Sequence, residues 1–168
     1  FKRLAGFFDQ RHDVAHAQHT LRHPGRVRSV DVSDDGDWGL TGSDDNSARL
    51  WDLNTDDLVL RVEHGNGVNT VALSPSGQFA FSAGQLDKAL IWRTGSGDVY
   101  HTLTTDESWV PQRISYTSAQ FSANSDQLLT GTSSGLVQLW DVSAGKELRR
   151  WQLHKRELFR PTSATVYG

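Results

Sequence analysis

The feature that most limits how this sequence folds is a tryptophan that keeps returning. The stretch LTGSDDNSARLWD, Leu40 to Asp52, ends in Trp51; a related LIW ends in Trp92, and LWD recurs at Leu139 to Asp141. Successive copies of this tryptophan are thus 41 and 48 residues apart, a period that marks a repeat architecture. Within the first copy, Leu40 and Thr41 lead into the turn formers Ser43, Asp44, Asp45 and Asn46. An alternating run through Ala48 and Leu50 then reaches Trp51, so the stretch reads as two strands around a tight polar turn.

The rest of each copy follows in register. Val30-Asp31-Val32-Ser33 matches Val71-Ala72-Leu73-Ser74 and Ala119-Gln120-Phe121-Ser122. Each is followed by a turn (Asp34-Asp35-Gly36, Pro75-Ser76-Gly77, Ala123-Asn124-Ser125) and by a second strand at Trp38 to Gly42, Phe79 to Ala83 or Gln127 to Gly131. The third strand ends at the tryptophan, and a fourth is expected at Leu58 to Val62, Val99 to Leu103 and Glu147 to Trp151. Four short strands per repeat, punctuated by Gly, Asp, Asn, Ser and Pro, predict an all-β fold of four-stranded antiparallel units.

On SVDVSDDGDWGLTGSDDNSARLWD, TVALSPSGQFAFSAGQLDKALIW and AQFSANSDQLLTGTSSGLVQLWD, the sequence resembles the WD-repeat β-propeller family over about nine-tenths of its length. The second copy departs from the terminal Trp-Asp, with Trp92-Arg93. The resemblance implies a buried hydrogen-bonded tetrad in each blade: His23, Thr41, Asp45 and Trp51 in the first, and His64, Ser82 and Trp92 in the second. In the second, Leu86 stands at the acid's place and Asp87 follows one position late; the third retains only Thr130 and Trp140, so its network is expected to be absent or rebuilt and its blade the least rigid. The expected division is residues 1–22 as two last strands of a preceding blade, blades at 23–63, 64–104 and 105–153, and 154–168 as the first strand of a following one. Phe7-Phe8-Asp9 and Val14 to Leu21 support the first of these expectations and Ser163 to Val166 the last, for about 15 strands in all.

Composition narrows the function classes. With 168 residues, 36% of them hydrophobic, and six tryptophans, there is enough apolar material to bury a core. A net charge of −3 and a pI near 6.1 argue against a nucleic-acid footprint. No apolar run is long enough to span a bilayer, and no signal-peptide pattern opens the sequence. The absence of cysteine excludes disulfides and thiolate metal sites. With no methionine and Phe1 at its start, the sequence is expected to be part of a longer product. A closed propeller needs at least about four blades, so the ring is completed either by remaining blades of the same longer protein, the favoured expectation, or by a second copy in a homodimer.

Several constellations invite chemistry. His12, His16, His19 and His23 would share one helical face and bind a transition metal; on a strand, i and i+4 lie about 13 Å apart, too far for one ion. The strand reading is preferred. Asp34, Asp35, Asp37, Asp44 and Asp45 lack EF-hand spacing and read as turn acids. The serines between Thr130 and Gly135 lack a nucleophile elbow. His154, Lys155, Arg156, Arg149, Arg150 and Arg160 are interrupted by Glu147 and Glu157 and read as a solvated connection. The connection from Thr104 to Ser118 is seven residues longer than its counterpart and holds Trp109, Pro111 and Tyr116; Trp109 is equally a partner anchor or a cap on its own blade.

The reading that follows is a non-catalytic scaffold for a protein or peptide partner, needing no cofactor. The resemblance implies contact positions at Arg26, Arg28 and Asp44, at Asn69 and Gln85, and at Thr117 and Ser133, with Trp109 alongside. The alternatives are a metal-dependent sensor or catalytic propeller, and a structural scaffold for another domain of the same protein. The overall look is similar to bacterial WD-repeat proteins, some exported to the envelope, which leans the expected compartment toward the cell envelope over the cytosol.

Overall fold

The computed structural model describes residues 20–85, 88–103 and 115–153. Twelve strands in these residues form three antiparallel sheets, each in plain meander order. The first holds β1 (Val27–Val32), β2 (Trp38–Ser43), β3 (Ser47–Asp52) and β4 (Asp57–Glu63). The second holds β5 (Val68–Leu73), β6 (Phe79–Gly84), β7 (Ala89–Arg93) and β8 (Val99–Leu103). The third holds β9 (Tyr116–Phe121), β10 (Gln127–Thr132), β11 (Leu136–Asp141) and β12 (Lys146–Gln152). The fold is all-β, an open and incomplete propeller of four-stranded blades.

The short strands form because β-branched and aromatic residues alternate with turn formers whose backbone needs are met locally. In the first turn Asp35 Oδ1 accepts the Ser33 hydroxyl (2.5 Å) and the Asp37 amide (3.0 Å). Asp52 Oδ1 caps the β3–β4 turn through the Asn54 amide (2.8 Å), as Asp141 Oδ1 does for Ala144 (2.9 Å). These acids are turn acids. Arg93 at the same place has no acceptor to offer; its guanidinium instead lies 4.5 Å from the Tyr100 ring centroid.

The inner strands β1, β5 and β9 bring the blades together, β5 packing against both neighbours. Leu40, Ala48, Leu50 and Val62 meet Val68, Val71, Leu73, Leu90 and Trp92 in one core. Phe81, Ala83, Ala89 and Ile91 meet Tyr116, Phe121, Leu128 and Trp140 in the other. Burying each large apolar side chain stabilises by roughly 1.5–3 kcal/mol. The middle blade is covered on both faces. The outer ones are not: Val30 and Val32 are 69% and 55% exposed, whereas Val71 and Leu73, at the same register in β5, are 5% and 8%. On the third blade Leu129, Leu148 and Trp151 are exposed.

Two expectations need correction. The alternation read into β3 is not realised, because Ser47 to Trp51 are all buried. Thr20 and Leu21, the described end of a supposed fourth strand, lie outside any strand. Phe7 to His19, Leu86, Asp87, Trp109, Pro111, His154 to Arg156, Arg160 and Ser163 to Val166 lie outside the described residues.

Candidate functional site

The end of each sheet where the first strand begins and the second finishes bears one cross-strand pair. Arg28 and Asp44, Asn69 and Gln85, and Thr117 and Ser133 are each 16 residues apart and occupy equivalent positions. In the first blade the Arg28 Nε–H donates to Asp44 Oδ1 at 2.8 Å. That bond, with the nearby charges of Arg28 and Arg26, holds the Asp44 carboxyl below the usual carboxylate range. In the second, the Gln85 amide donates to Asn69 Oδ1 at 3.1 Å. In the third the side chains turn to the backbone: the Thr117 hydroxyl donates to the Gly131 carbonyl (3.3 Å), and Ser133 Oγ accepts the Ser115 amide (3.4 Å). A backbone bridge between Gln85 and Ser115 joins the second and third blades at this end. Arg26, Arg28, Asp44, Gln85, Thr117 and Ser133 are exposed, Asn69 half-buried.

Beneath Asp44 lies a buried polar network. The His23 ring is sequestered, its Nδ1–H donating to Asp45 Oδ2 (2.9 Å) and its Nε2 meeting Thr41 Oγ1 (2.6 Å); the Trp51 indole N–H also donates to Thr41 Oγ1 (2.8 Å). With both ring nitrogens engaged, His23 has none to offer a metal. Asp45 Oδ1 accepts the Ser47 amide (3.0 Å) and hydroxyl (2.6 Å). Burial alone would raise the Asp45 carboxyl, but the bonds from Ser47 and His23 outweigh it and bring its pKa down to about 2. The segment after His23 lies flat on this turn: a Cβ on Gly25 would fall 2.5 Å from the Asp45 amide nitrogen.

The sequence reading missed Arg49. Its side chain is 9% exposed, and the guanidinium donates to Asp45 Oδ2 (3.0 Å), Ser47 Oγ (3.1 Å) and the Arg22 carbonyl (2.7 Å). Across the sheet Arg49 pairs with Thr41 as Leu90 pairs with Ser82 and Gln138 with Thr130. The signal in the sequence was a lone charge between Ala48 and Leu50 where its repeat partners are Leu90 and Gln138. In the second blade His64 Nε2 lies 2.8 Å from Ser82 Oγ, which accepts the Trp92 indole N–H (3.1 Å). In the third, the Trp140 indole N–H donates to Thr130 Oγ1 at 3.0 Å. Gln138 is fully buried beside them; its amide N–H donates to Glu147 and its Oε1 has no partner. The groups nearest the Trp140 indole, Thr130 and Gln138, are neutral, and the charge lies one step further out, at Glu147, which Arg150 also holds.

Contacts between blades also went unread. The Leu73 amide donates to Asp31 Oδ2 (2.7 Å) and the Val71 amide to Ser29 Oγ (3.2 Å). The Ser76 amide donates to Ser125 Oγ (3.0 Å), and Tyr100 and His101 both reach the Ser143 carbonyl (3.3 and 3.0 Å). Among the described residues, no three His, Asp or Glu side chains are placed to share a metal ion, and no helix is long and apolar enough to cross a membrane.

Known proteins match this arrangement. The rice small ribosomal subunit protein RACK1y (Oryza sativa subsp. japonica) is 29% identical over 122 residues, 72% of this chain and 36% of its own length. The yeast COMPASS component SWD3 (Saccharomyces cerevisiae) is 27% identical over 141 residues, 82% of this chain and 45% of its own. Both are eukaryotic, so the bacterial likeness gains no support from them. The solved structure of U3-55K superimposes with a TM-score of 0.71 at 19% identity, over 80% of this chain and 42% of that one. The matched stretch is therefore less than half of each relative. A family model for the WD domain, G-beta repeat, matches residues 16–52, 58–93 and 97–141, and with those three matches the chain belongs to the WD40 repeat family.

Proposed function

We propose that this protein is a non-catalytic binding scaffold that presents the pair-bearing end of its blades to a protein or peptide. The observation that carries the reading is the repetition of one pair position at the same end of three blades, exposed except at Asn69: charged at Arg28–Asp44, amide at Asn69–Gln85, hydroxyl at Thr117–Ser133. A partner crossing this end meets a bidentate donor first, then adaptable hydrogen-bonding groups. Arg26 adds a second cation beside Arg28, which favours a partner with an acidic residue at the first blade. The membership of a ribosomal subunit protein and of a COMPASS component in the same family is consistent with a role in assemblies. Trp109 belongs to the proposed face on the sequence reading alone.

Peptides selected on the immobilised protein test the reading. Arg28→Ala and Gln85→Ala are expected to weaken such peptides about tenfold, roughly 1.4 kcal/mol each. Asn124→Ala and Asp98→Ala, at the other end of the blades, are expected to leave affinity unchanged. The opposite pattern overturns the assignment.

The exposed Val30 and Val32 support a second element of the reading, that further blades cover the open faces. Remaining blades of a longer protein are the preferred source. A discrete species of twice 18.7 kDa in light scattering would assign closure to a second copy instead.

A further inference from the structure

The five asparagines, Asn46, Asn54, Asn66, Asn69 and Asn124, are all among the described residues. An asparagine converts to an acid without an enzyme when the backbone nitrogen of the next residue attacks its side-chain carbonyl carbon. The reaction needs a side chain free to swing, a following N–H not already committed, and little steric bulk on the following residue.

Four sites fail these conditions. After Asn46, the Ser47 amide is donated to Asp45 Oδ1 (3.0 Å). The Asn54 side chain donates to Asp37 Oδ1 (3.0 Å), and the next amide, of Thr55, is donated to Asp52 Oδ1 (3.3 Å). Asn69 Oδ1 accepts from Gln85 (3.1 Å), and the following Thr70 is buried in β5. The Asn124 side chain is held by Ser122 (2.7 Å) and Asp126 (2.8 Å), and the Ser125 amide by the Ser122 carbonyl (2.9 Å).

Asn66 meets all three. It is exposed in the bend between β4 and β5, and neither its side chain nor the Gly67 N–H makes a hydrogen bond among the described residues. Glycine supplies the least hindered backbone nitrogen of any residue. We propose that Asn66–Gly67 is a site of spontaneous deamidation on the candidate binding face. The Gly67 nitrogen loses its proton and bonds to Asn66 Cγ; the bond from Cγ to Nδ2 breaks, ammonia leaves, and a five-membered imide remains. Water then opens either carbonyl, giving aspartate or isoaspartate, with no change of oxidation state.

The location gives the modification consequences. Gly67 lies against Asp44, a Cβ there falling 3.1 Å from Asp44 Oδ1, and the Gly67 carbonyl accepts the Gln85 amide (2.8 Å). A new carboxylate therefore arises beside the pair Arg28 already serves. Isoaspartate also lengthens the backbone by one carbon where the loop is pinned between Asp44 and Gln85. The proposal concerns the chemistry of the loop and stands whether or not this face binds a partner.

The test incubates the 168-residue protein at mildly alkaline pH, folded and in urea, and follows acid formation at each asparagine by peptide mass spectrometry. Folded, Asn66 is expected to convert several-fold faster than the other four, giving both products; Gly67→Ala is expected to slow it. In urea the protected sites are expected to accelerate as their hydrogen bonds open, while Asn66 barely changes. Conversion of Asn66 no faster than Asn46 or Asn124 in the folded state, or acceleration in urea matching theirs, overturns the proposal.

Discussion

The first and third blades share strand order and register, yet they support their tryptophans in different ways. Around Trp51 the first blade buries Asp45, Arg49 and His23 together, and Asp45 and Arg49 offset each other's charge. Around Trp140 the third keeps the indole bond to Thr130 and places Gln138 where Arg49 stands, its amide on Glu147 and its Oε1 unsatisfied. The backbone of a blade therefore does not require the tetrad. What the tetrad adds is a local lock: Asp45 fixes the turn bearing Asp44, and Asp44 orients Arg28. The first blade is the one whose surface pair is charged and whose tryptophan is backed by a buried ion pair. A buried ion pair is costly to disrupt from one side and gains little over an apolar filling, so the two blades should answer differently to the same substitution.

The widest separation is expected from replacing the residue opposite the tetrad hydroxyl by leucine, as in the second blade. Arg49→Leu removes the cation that offsets the buried Asp45 and the donor to the Arg22 carbonyl, and is expected to cost about 3–5 kcal/mol. Gln138→Leu removes an unpaired oxygen along with one hydrogen bond to Glu147, which keeps Arg150, and is expected to stay within about 1 kcal/mol of the parent. Urea denaturation of both variants reads the contrast, and equal losses would mean that the two networks are energetically alike.

Acid titration isolates the ionic half of this difference. The Asp45 pKa of about 2 lies below its ordinary 3.8, so its contribution is fully present above the ordinary value and is lost as pH falls through 2. Its size is about 2 kcal/mol. Stability measured between those limits should show this loss in the parent, and the loss should disappear in Asp45→Asn.

A smaller effect is expected at the hydroxyls. Thr41→Val deprives both Trp51 and His23 of a partner, whereas Thr130→Val deprives Trp140; each also removes one long bond to a strand carbonyl, of Arg49 or Gln138. Roughly 2 kcal/mol against roughly 1 kcal/mol is expected in thermal melts. The smallest change concerns Ser125, which holds φ at 64° where the first two blades have Gly36 and Gly77. Ser125→Gly relieves about 1 kcal/mol of left-handed strain and loses a hydrogen bond of similar worth to Ser76. A near-zero net change is expected, in contrast to any other loss of a bond between blades.

The pattern of legibility follows from which forces act within a repeat and which act between repeats. Strand positions were readable from the repeat itself, whereas the partners of His23 came from the family likeness. Arg49 was not readable, since a charge within a strand ordinarily marks a solvent face, and only packing showed that this one is dry. Neither was the burial of β3 on both sides. The bond from Leu73 to Asp31 joins residues 42 apart on separate sheets, and nothing in either local pattern calls for it. The binding positions came from family likeness and not from chemistry visible along the sequence. What the structure adds is that Arg28–Asp44 and Asn69–Gln85 are bonded pairs and Thr117–Ser133 is not.

The doubly covered middle blade also gives the molecule an order in time. An amide in β6 or β7 exchanges with solvent only after the sheet opens, and opening it disturbs the cores on both its faces. An amide in β1 or β12 lies beside exposed side chains and needs far less. Exchange should therefore be slowest from Ala80 to Ala83 and from Leu90 to Trp92, and fastest along the two outer blades' open faces. Among the three described blades, opening would run from the outer two inward, the second blade opening last.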